Sequence, residues 1–302
     1  MLKKIGFTLS AFILLFVVTV KSQNSDDVKI NAAKVTDNIY MLQGQGGNIG
    51  LFFGKNGVFL IDDQFAPLHD KITAKIKELS GSLVPENSNM YVINTHFHGD
   101  HTGGNELMGK SGAVIIAHEN VRIKLPVEQV NKFFNSTTPA MPPDGLPVIT
   151  FTTDLTFHLN DDSVNIYHVP SAHTDGDAIV HFTKANVIHS GDIIFTNTYP
   201  FIDIDKGGSV AGTIAAAKRI LSMCNAETKI IPGHGNLTDK AGLEKYIKML
   251  SSILERVKQM AAAGKSLDEI KAAQPTAEFD ADYNGFISND GFLGIVYAAV
   301  TK

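Results

Sequence analysis

The sequence predicts an α/β protein with the architecture of a four-layer αβ/βα sandwich. Three observations support this fold class. Apolar, β-branched runs alternate with amphipathic helical segments, each half of the chain is rich in strands first and in helices afterwards, and no linker divides the halves. We therefore expect one large domain over residues 23–302.

The first half is predicted to open as a β-meander. Gly54-Lys55-Asn56-Gly57 predicts a hairpin turn, because glycines and asparagine favour tight reversals between two apolar runs. A helix is predicted over 69–79, where Ile72, Ile76 and Leu79 recur on one face. The predicted strands of this half are 39–42, 48–53, 58–62, 90–94 and 114–117.

The second half repeats the order of strands and then helices. Three strands are predicted within 148–169, one turn being Asn160-Asp161-Asp162. The C-terminal tail, about 266–302, is predicted as further helix joined by a polar loop, and we assign it no chemistry. The other predicted strands are 178–182, 187–189 and 229–231, and the predicted helices are 210–223 and 239–263.

The chemistry of the chain is concentrated in His96-Phe97-His98-Gly99-Asp100-His101. Three imidazoles and a carboxylate this close, at the end of a predicted strand, indicate a metal site. His96 and His98 alternate and should point the same way, whereas Asp100 and His101 begin a new turn. Two neighbouring metals therefore fit better than one. Such a mixed set of ligands suits zinc, with manganese, iron or cobalt as alternatives.

Three later residues are candidate ligands in loop-like settings that each follow a strand-like run. They are His173 in Ala172-His173-Thr174, Asp192 in Ser190-Gly191-Asp192, and His234 in Pro232-Gly233-His234-Gly235. A closed structural zinc site usually has four ligands and favours cysteine. Because the candidate set is larger and contains no sulfur, it favours a catalytic centre.

These landmarks, together with the acidic pair Asp62-Asp63, resemble the metallo-β-lactamase-fold hydrolase superfamily over roughly residues 28–258. The resemblance implies one zinc on His96, His98 and His173, and a second on Asp100, His101 and His234. It further implies that Asp192 bridges both ions, at a position where the commonest zinc β-lactamases have a cysteine. The only cysteine here, Cys224, lies in a predicted helix.

The resemblance implies a dinuclear zinc hydrolase that uses a metal-bridging hydroxide to open a cyclic amide or ester. Asp100 is the predicted catalytic residue and would orient the attacking water. Because ligand imidazoles usually donate their second N–H to a carboxylate or carbonyl, Asp62, Asp63 and Asp177 are predicted to support the ligands. β-Lactam hydrolysis is the leading specific prediction, and lactonase, esterase or thioesterase activity is the alternative. An exported metal-binding protein without efficient turnover is an alternative of another class.

Loops should determine the substrate. Residues 125–148 contain Phe133 and Phe134, and are apolar enough to form a lid or wall over the metals. Residues 43–47 and 197–201, the latter with Tyr199, are predicted as the opposite rims. A small apolar molecule is therefore the expected substrate, although these stretches could also simply cover edges of the core.

The net charge of the chain bears on its binding partners, and the N-terminal segment bears on its cellular location. A net charge of −5 offers no basic field for a polyanion, which argues against nucleic acid. Lys3 and Lys4 precede an apolar run over 5–20, which predicts a signal peptide over 1–22 and export to the periplasm or beyond. We expect no stable membrane insertion after cleavage. A retained membrane anchor is the alternative.

Overall fold

A computed structural model of the protein describes residues 25–301. The predicted signal peptide, 1–22, and the predicted mature start, Gln23, lie outside the described residues. Within them, no helix has both the length and the apolar composition that crossing a bilayer requires.

The described residues contain fifteen strands and eight α-helices, most of them at the positions that the sequence predicts. The strands are β1 (Asn31–Lys34), β2 (Ile39–Gln43), β3 (Ile49–Gly54), β4 (Gly57–Ile61), β5 (Met90–Asn94), β6 (Val114–His118), β7 (Gln129–Asn131), β8 (Ser136–Thr138), β9 (Ile149–Phe151), β10 (Asp154–Leu159), β11 (Asp162–Val169), β12 (Asp177–Phe182), β13 (Val187–His189), β14 (Lys229–Ile231) and β15 (Thr238–Asp239). The helices are α1 (His69–Ser80), α2 (Gly99–Thr102), α3 (Asn105–Lys110), α4 (Glu119–Lys124), α5 (Val210–Met223), α6 (Lys240–Ala262), α7 (Leu267–Ala272) and α8 (Asn289–Thr301).

Two large sheets form the body of the protein. The first has the order β1-β2-β3-β4-β5-β6-β9, and the second has the order β10-β11-β12-β13-β14-β15. β1 to β4 are antiparallel, whereas β4, β5, β6 and β9 run parallel. In the second sheet only β13 and β14 run parallel. Parallel neighbours need crossover connections, and α1 and α5 provide two of them.

Three apolar clusters separate four layers. One lies between the sheets, where Phe52 of the first meets Phe182 of the second with ring centroids 5.1 Å apart. A second lies between the first sheet and α1, which buries Ile72 and Ile76. The third and largest lies between the second sheet and α5, α6 and α8. The layer order is the predicted αβ/βα sandwich.

Two regions carry more structure than the sequence predicts. β7 and β8 form a separate two-stranded hairpin inside the predicted lid, 125–148. The C-terminal tail is part of the core, because α8 buries Phe292, Leu293 and Val296 against the other helices of the second sheet. Phe286, in the loop that precedes α8, is in contrast 60% exposed.

Candidate metal centre

All seven predicted metal ligands lie together at one edge of the sandwich. Each follows the carboxyl end of a strand: the histidine cluster follows β5, His173 follows β11, Asp192 follows β13 and His234 follows β14. Their nitrogen and oxygen atoms form two groups, each with all atoms within 4.8 Å of one another. The groups are His96, His98, His173 and Asp192, and Asp100, His101 and His234.

The local backbone explains how one run of six residues, 96–101, supplies two ligands to each group. His98 is still extended, with φ −64° and ψ 145°, so the side chains of His96 and His98 both reach the first group. α2 begins at Gly99 and turns Asp100 and His101 toward the second group. Gly47 of the facing hairpin lies over His101 so closely that a Cβ atom there would be 2.1 Å from its ring. Only glycine therefore fits that position.

Asp192 lies between the two groups. Its Oδ1 is 3.1 Å from His101 Nε2, which belongs to the second group. Its Oδ2 is 3.4 Å from His173 Nε2 and 3.5 Å from His234 Nε2, so it reaches one imidazole of each group. The carboxylate is buried, and Oδ1 has no hydrogen-bond partner among the described residues.

The hydrogen bonds behind the imidazoles show that the centre suits a cation. His173 Nδ1 donates to the carbonyl of Phe201 (2.8 Å) and His98 Nε2 donates to Asp203 Oδ2 (3.0 Å). Their other nitrogens, His173 Nε2 and His98 Nδ1, face each other at 2.9 Å. With both protons held on the outer nitrogens, two lone pairs meet, and that contact is repulsive unless a positive charge lies between them. The residues therefore fit a divalent metal.

The second group is supported in the same way by Asp62, one of the three predicted supporting aspartates. Asp62 Oδ2 accepts from His101 Nδ1 (2.7 Å) and from Thr95 Oγ1 (2.8 Å), while Oδ1 accepts from the Thr95 backbone N–H. Thr95 Oγ1 in turn accepts from His96 Nδ1 (3.0 Å). One buried carboxylate thus orients an imidazole of each group.

The other two predicted supporting aspartates do not contact a ligand imidazole, which corrects the prediction for them. Asp63 Oδ1 accepts instead from the backbone N–H of Gly104. Asp177 accepts from the backbone N–H and the hydroxyl of Thr174, so it stabilises the turn that carries His173. The reason is geometric, because both side chains point into backbone turns behind the ligands.

The charges within the centre favour protonation of two ligand imidazoles, so metal binding must release protons. Burial lowers the pKa of His101, but Asp192, Asp100 and Asp62 overcome it and raise that pKa well above its usual value. Burial also lowers the pKa of His234, but Asp192 and Asp100 outweigh it and raise that pKa to about 9. Without a cation these imidazoles hold protons, which a metal must displace. We therefore expect metal affinity to rise with pH.

His189 lies behind the centre as a neutral structural residue. Its Nε2 donates to the carbonyl of Asn48 (3.1 Å) and its Nδ1 accepts from the Gly191 N–H (3.2 Å). Burial lowers its pKa from 6.5 to about 4. Because the folded state then binds fewer protons than the unfolded state, the stability that this residue contributes is present above pH 6.5 and lost as the pH falls toward 4.

We predict that His189→Gln flattens the decline of stability in acid. Glutamine can keep both hydrogen bonds but does not titrate, so a slope of up to about 1.4 kcal/mol per pH unit should disappear. Urea unfolding with chelator, compared at about pH 7.5 and pH 5, measures the difference between the two proteins. An unchanged difference between the two pH values would contradict the assignment.

Asp203 supports a ligand and was missed by the sequence analysis. It lies 105 positions from His98, and no local motif marks it. Its backbone N–H donates to the carbonyl of His173 (2.9 Å), so the loop that carries Asp203 wraps around a ligand of the same group. The only available signal was weak: an aspartate close to a predicted rim.

We predict that Asp203→Ala lowers metal affinity about 10- to 100-fold, because His98 loses the acceptor that fixes its ring and proton. Competition with a chromophoric chelator measures the affinity. Asp205→Ala is the matched control, since Asp205 lies on the same loop and pairs with the exposed Lys132 at 3.6 Å. Equal affinities in the two variants would exclude the role of Asp203.

A cavity of about 620 Å³ opens over the two groups of ligands. Phe195 stacks on the ring of His234, with centroids 5.0 Å apart, and Phe134 packs on Phe201 at 4.9 Å. The phenylalanines that line the cavity are Phe65, Phe97, Phe134, Phe195, Phe201 and Phe286. The walls are therefore largely apolar, and an apolar substrate would exclude water from them.

The predicted rim residues have different places. Phe134 lines the cavity, whereas Phe133 stands beside it and packs on Phe201 with centroids 5.2 Å apart. Tyr199 is fully buried, donates to Asp280 Oδ1 (2.8 Å) and stacks on Phe292, so its prediction as a rim residue is wrong. Its apolar ring belongs to the core behind the rim, where Asp280 satisfies the hydroxyl.

Comparisons with known proteins agree with this geometry. Among curated proteins, the hydroxyacylglutathione hydrolase of Pelagibacter ubique (strain HTCC1062) is 25% identical over 181 residues, which cover 55% of this chain and 64% of that protein. The match therefore spans less than two thirds of the relative's length.

Solved structures of low identity share the fold. They include a metallo-beta-lactamase from Pontibacter korlensis (TM-score 0.57, 16% identity, 74% of this chain and 99% of that chain). The DIM-1 metallo-beta-lactamase has a TM-score of 0.58 at 17% identity, over 74% of this chain and 99% of that chain. A double mutant of the sec-alkyl sulfatase PisA1 has a TM-score of 0.65 at 15% identity, over 89% of this chain and 49% of that chain.

The match that decides the family covers both groups of ligands. The profile of the metallo-beta-lactamase superfamily matches residues 42–234, which is more than half of the chain and runs from the first rim to the last ligand. This chain belongs to the metallo-beta-lactamase superfamily.

Proposed function

We propose that the protein is a metal-dependent hydrolase that cleaves a carboxylic ester or thioester with an apolar body, and that its seven ligands hold two divalent cations, most simply zinc. The observation that carries the proposal is the pair of ligand groups beneath an aromatic cavity of about 620 Å³. The similarity to a hydroxyacylglutathione hydrolase supports the thioester.

In the proposed arrangement His96, His98 and His173 hold one cation, and Asp100, His101 and His234 hold the other. Asp192, within 3.5 Å of imidazoles of both groups, is proposed to bridge them. When bound, such cations supply Lewis acidity, which polarises a substrate carbonyl and makes water more acidic.

The protein supplies orientation and exclusion of solvent. Asp100 is 31% exposed and lines the cavity, while its Oδ2 is 3.2 Å from His234 Nε2. We propose that the Asp100 carboxylate accepts a hydrogen bond from the attacking water and takes its proton, which it then gives to the departing oxygen or sulfur. The phenylalanines hold the acyl body and keep bulk water out.

β-Lactam hydrolysis is the second candidate. It is favoured by the N-terminal pattern over 1–22, from which we infer export to the compartment where such antibiotics act. Asp192 at the position of the cysteine of the commonest zinc β-lactamases weighs against it, and this is why the ester or thioester comes first.

The test is a substrate panel with and without a chelator. The purified protein is assayed with a para-nitrophenyl ester, a hydroxyacylglutathione thioester, a lactone and a chromogenic β-lactam. Turnover of the ester or thioester that chelation abolishes and zinc restores supports the proposal, and metal analysis should give about two equivalents per chain. Turnover of the β-lactam alone selects the second candidate. No turnover of any of them, with metal bound, indicates a metal-binding protein without efficient catalysis.

A further inference from the structure

We infer that the substrate carries an anionic group, most simply a carboxylate, and that Lys206 recognises it. The inference rests on the proposed function, since it concerns the same cavity. Lys206 is half-buried and lines that cavity together with the ligands His98, Asp100 and His234.

The charges around Lys206 single it out. Among the described residues that line the cavity, it is the only lysine or arginine. The neighbouring acids pair elsewhere: Asp203 with His98 (3.0 Å), Asp175 with Lys124 (2.6 Å) and Asp205 with Lys132 (3.6 Å). Within residues 25–301 no carboxylate forms an ion pair with Lys206. This lysine of the cavity wall therefore has no ion-pair partner among the described residues, and an anionic ligand would supply one.

The backbone fixes where this lysine is presented. Its N–H donates to the Asp203 carbonyl (3.0 Å), and its own carbonyl accepts from the Asp175 N–H (3.2 Å). Gly207 follows at φ +87°, the left-handed conformation that ends the short 3-10 helix over 204–206. Gly208 packs on the backbone of His173, so the loop is seated on a metal ligand. The backbone at Lys206 is thus fixed relative to the metal ligand His173.

This arrangement predicts an amphipathic substrate with its scissile acyl group at the ligands and its apolar body along the phenylalanines. Its anionic group would lie near Lys206. Because Lys206 is half-buried, the ion pair should contribute more than a fully exposed one does. The effect should appear in substrate binding, hence in KM, and much less in kcat.

Two pairs of probes isolate the charge. Para-nitrophenyl hexanoate and mono-para-nitrophenyl adipate have acyl chains of the same length, which end in a methyl group and a carboxylate. N-benzyl hexanamide and N-benzyl adipamate are the corresponding uncleaved amides, whose affinity is measured by calorimetry on the zinc-loaded protein. Any attraction between a carboxylate and the metals is common to all variants and cancels in their comparison.

Three variants complete the experiment. Lys206→Met should reduce kcat/KM for the adipate ester roughly tenfold or more through KM, and weaken the adipamate by a similar factor. Both neutral probes should change less than about twofold. Lys206→Arg keeps the charge and should restore most of the preference for the anion. Lys132→Met, which removes an exposed charge outside the cavity, should leave all four probes unchanged.

The outcomes separate this inference from the proposed function. If Lys206→Met affects neutral and anionic probes equally, or if the wild-type protein shows no preference for the anions, the inference is wrong even when esters are cleaved. If neither ester is cleaved, and the thioester of the substrate panel is not cleaved either, the proposed function fails. The amide affinities then decide the inference alone: a loss confined to the adipamate upholds it, and equal affinities reject it.

Discussion

Replacing Asp192 with alanine should remove metal from both groups of ligands and lower turnover about a thousandfold or more. Asp192 Oδ1 is 3.1 Å from His101, and Oδ2 is within 3.5 Å of His173 and His234. Imidazoles lower the pKa of this buried carboxyl well below its usual value although burial alone would raise it, so it is ionised. Its loss removes the one negative charge that faces cations in both groups.

Metal content after dialysis and turnover at saturating zinc are the two measurements. Asp162→Ala is the matched control, because Asp162 is also a buried carboxylate but accepts from backbone N–H groups of Lys184 and Ala185, far along the second sheet from the ligands. That control should lose stability while its folded fraction keeps metal and turnover. An Asp192→Ala protein that retains two equivalents of metal and normal turnover would refute the proposed bridging role.

The sequence predicts the fold because its signals are local. The helix at 210–223 and the strands at 90–94, 187–189 and 229–231 have the predicted bounds, since periodic apolar residues determine both the element and its buried face. β7 and β8 were not predicted as strands. Each has three residues and pairs only with the other, so no long apolar alternation marks them.

Residues of the candidate centre can be predicted from the sequence where they stand in a short motif. Residues that reach the centre only through contacts between distant parts of the chain cannot. The seven ligands stand in recognisable turns, and the structure brings them together. Asp203 and Lys206 act, in our interpretation, through a loop that folds back over His173, and no spacing in the sequence reports that contact. Tyr199 shows the reverse error. Of the predicted rim segment, 197–201, only Phe201 lines the cavity, whereas Tyr199 lies in the core.

Asp100→Asn tests the proposed proton transfer most directly. The amide keeps the size of the side chain but cannot take a proton from water, so kcat should fall about a hundred- to ten-thousandfold even where zinc is bound. Asp100 is the most exposed of the carboxylates in the centre, at 31%, which allows solvent and substrate to reach it. Turnover must be measured at saturating zinc, with bound metal quantified in the same samples.

The variant also separates the two roles that Asp100 can have. If it only helps to hold a cation, added zinc should restore turnover to Asp100→Asn, because His101 and His234 remain and lie 3.4 Å apart at Nε2. If it handles the proton, turnover stays low at full metal occupancy over the whole pH profile. Asp205→Asn, a change of charge outside the cavity on the same side of the protein, should leave both rate and profile intact. Normal turnover by Asp100→Asn with metal bound would show that another group accepts the proton.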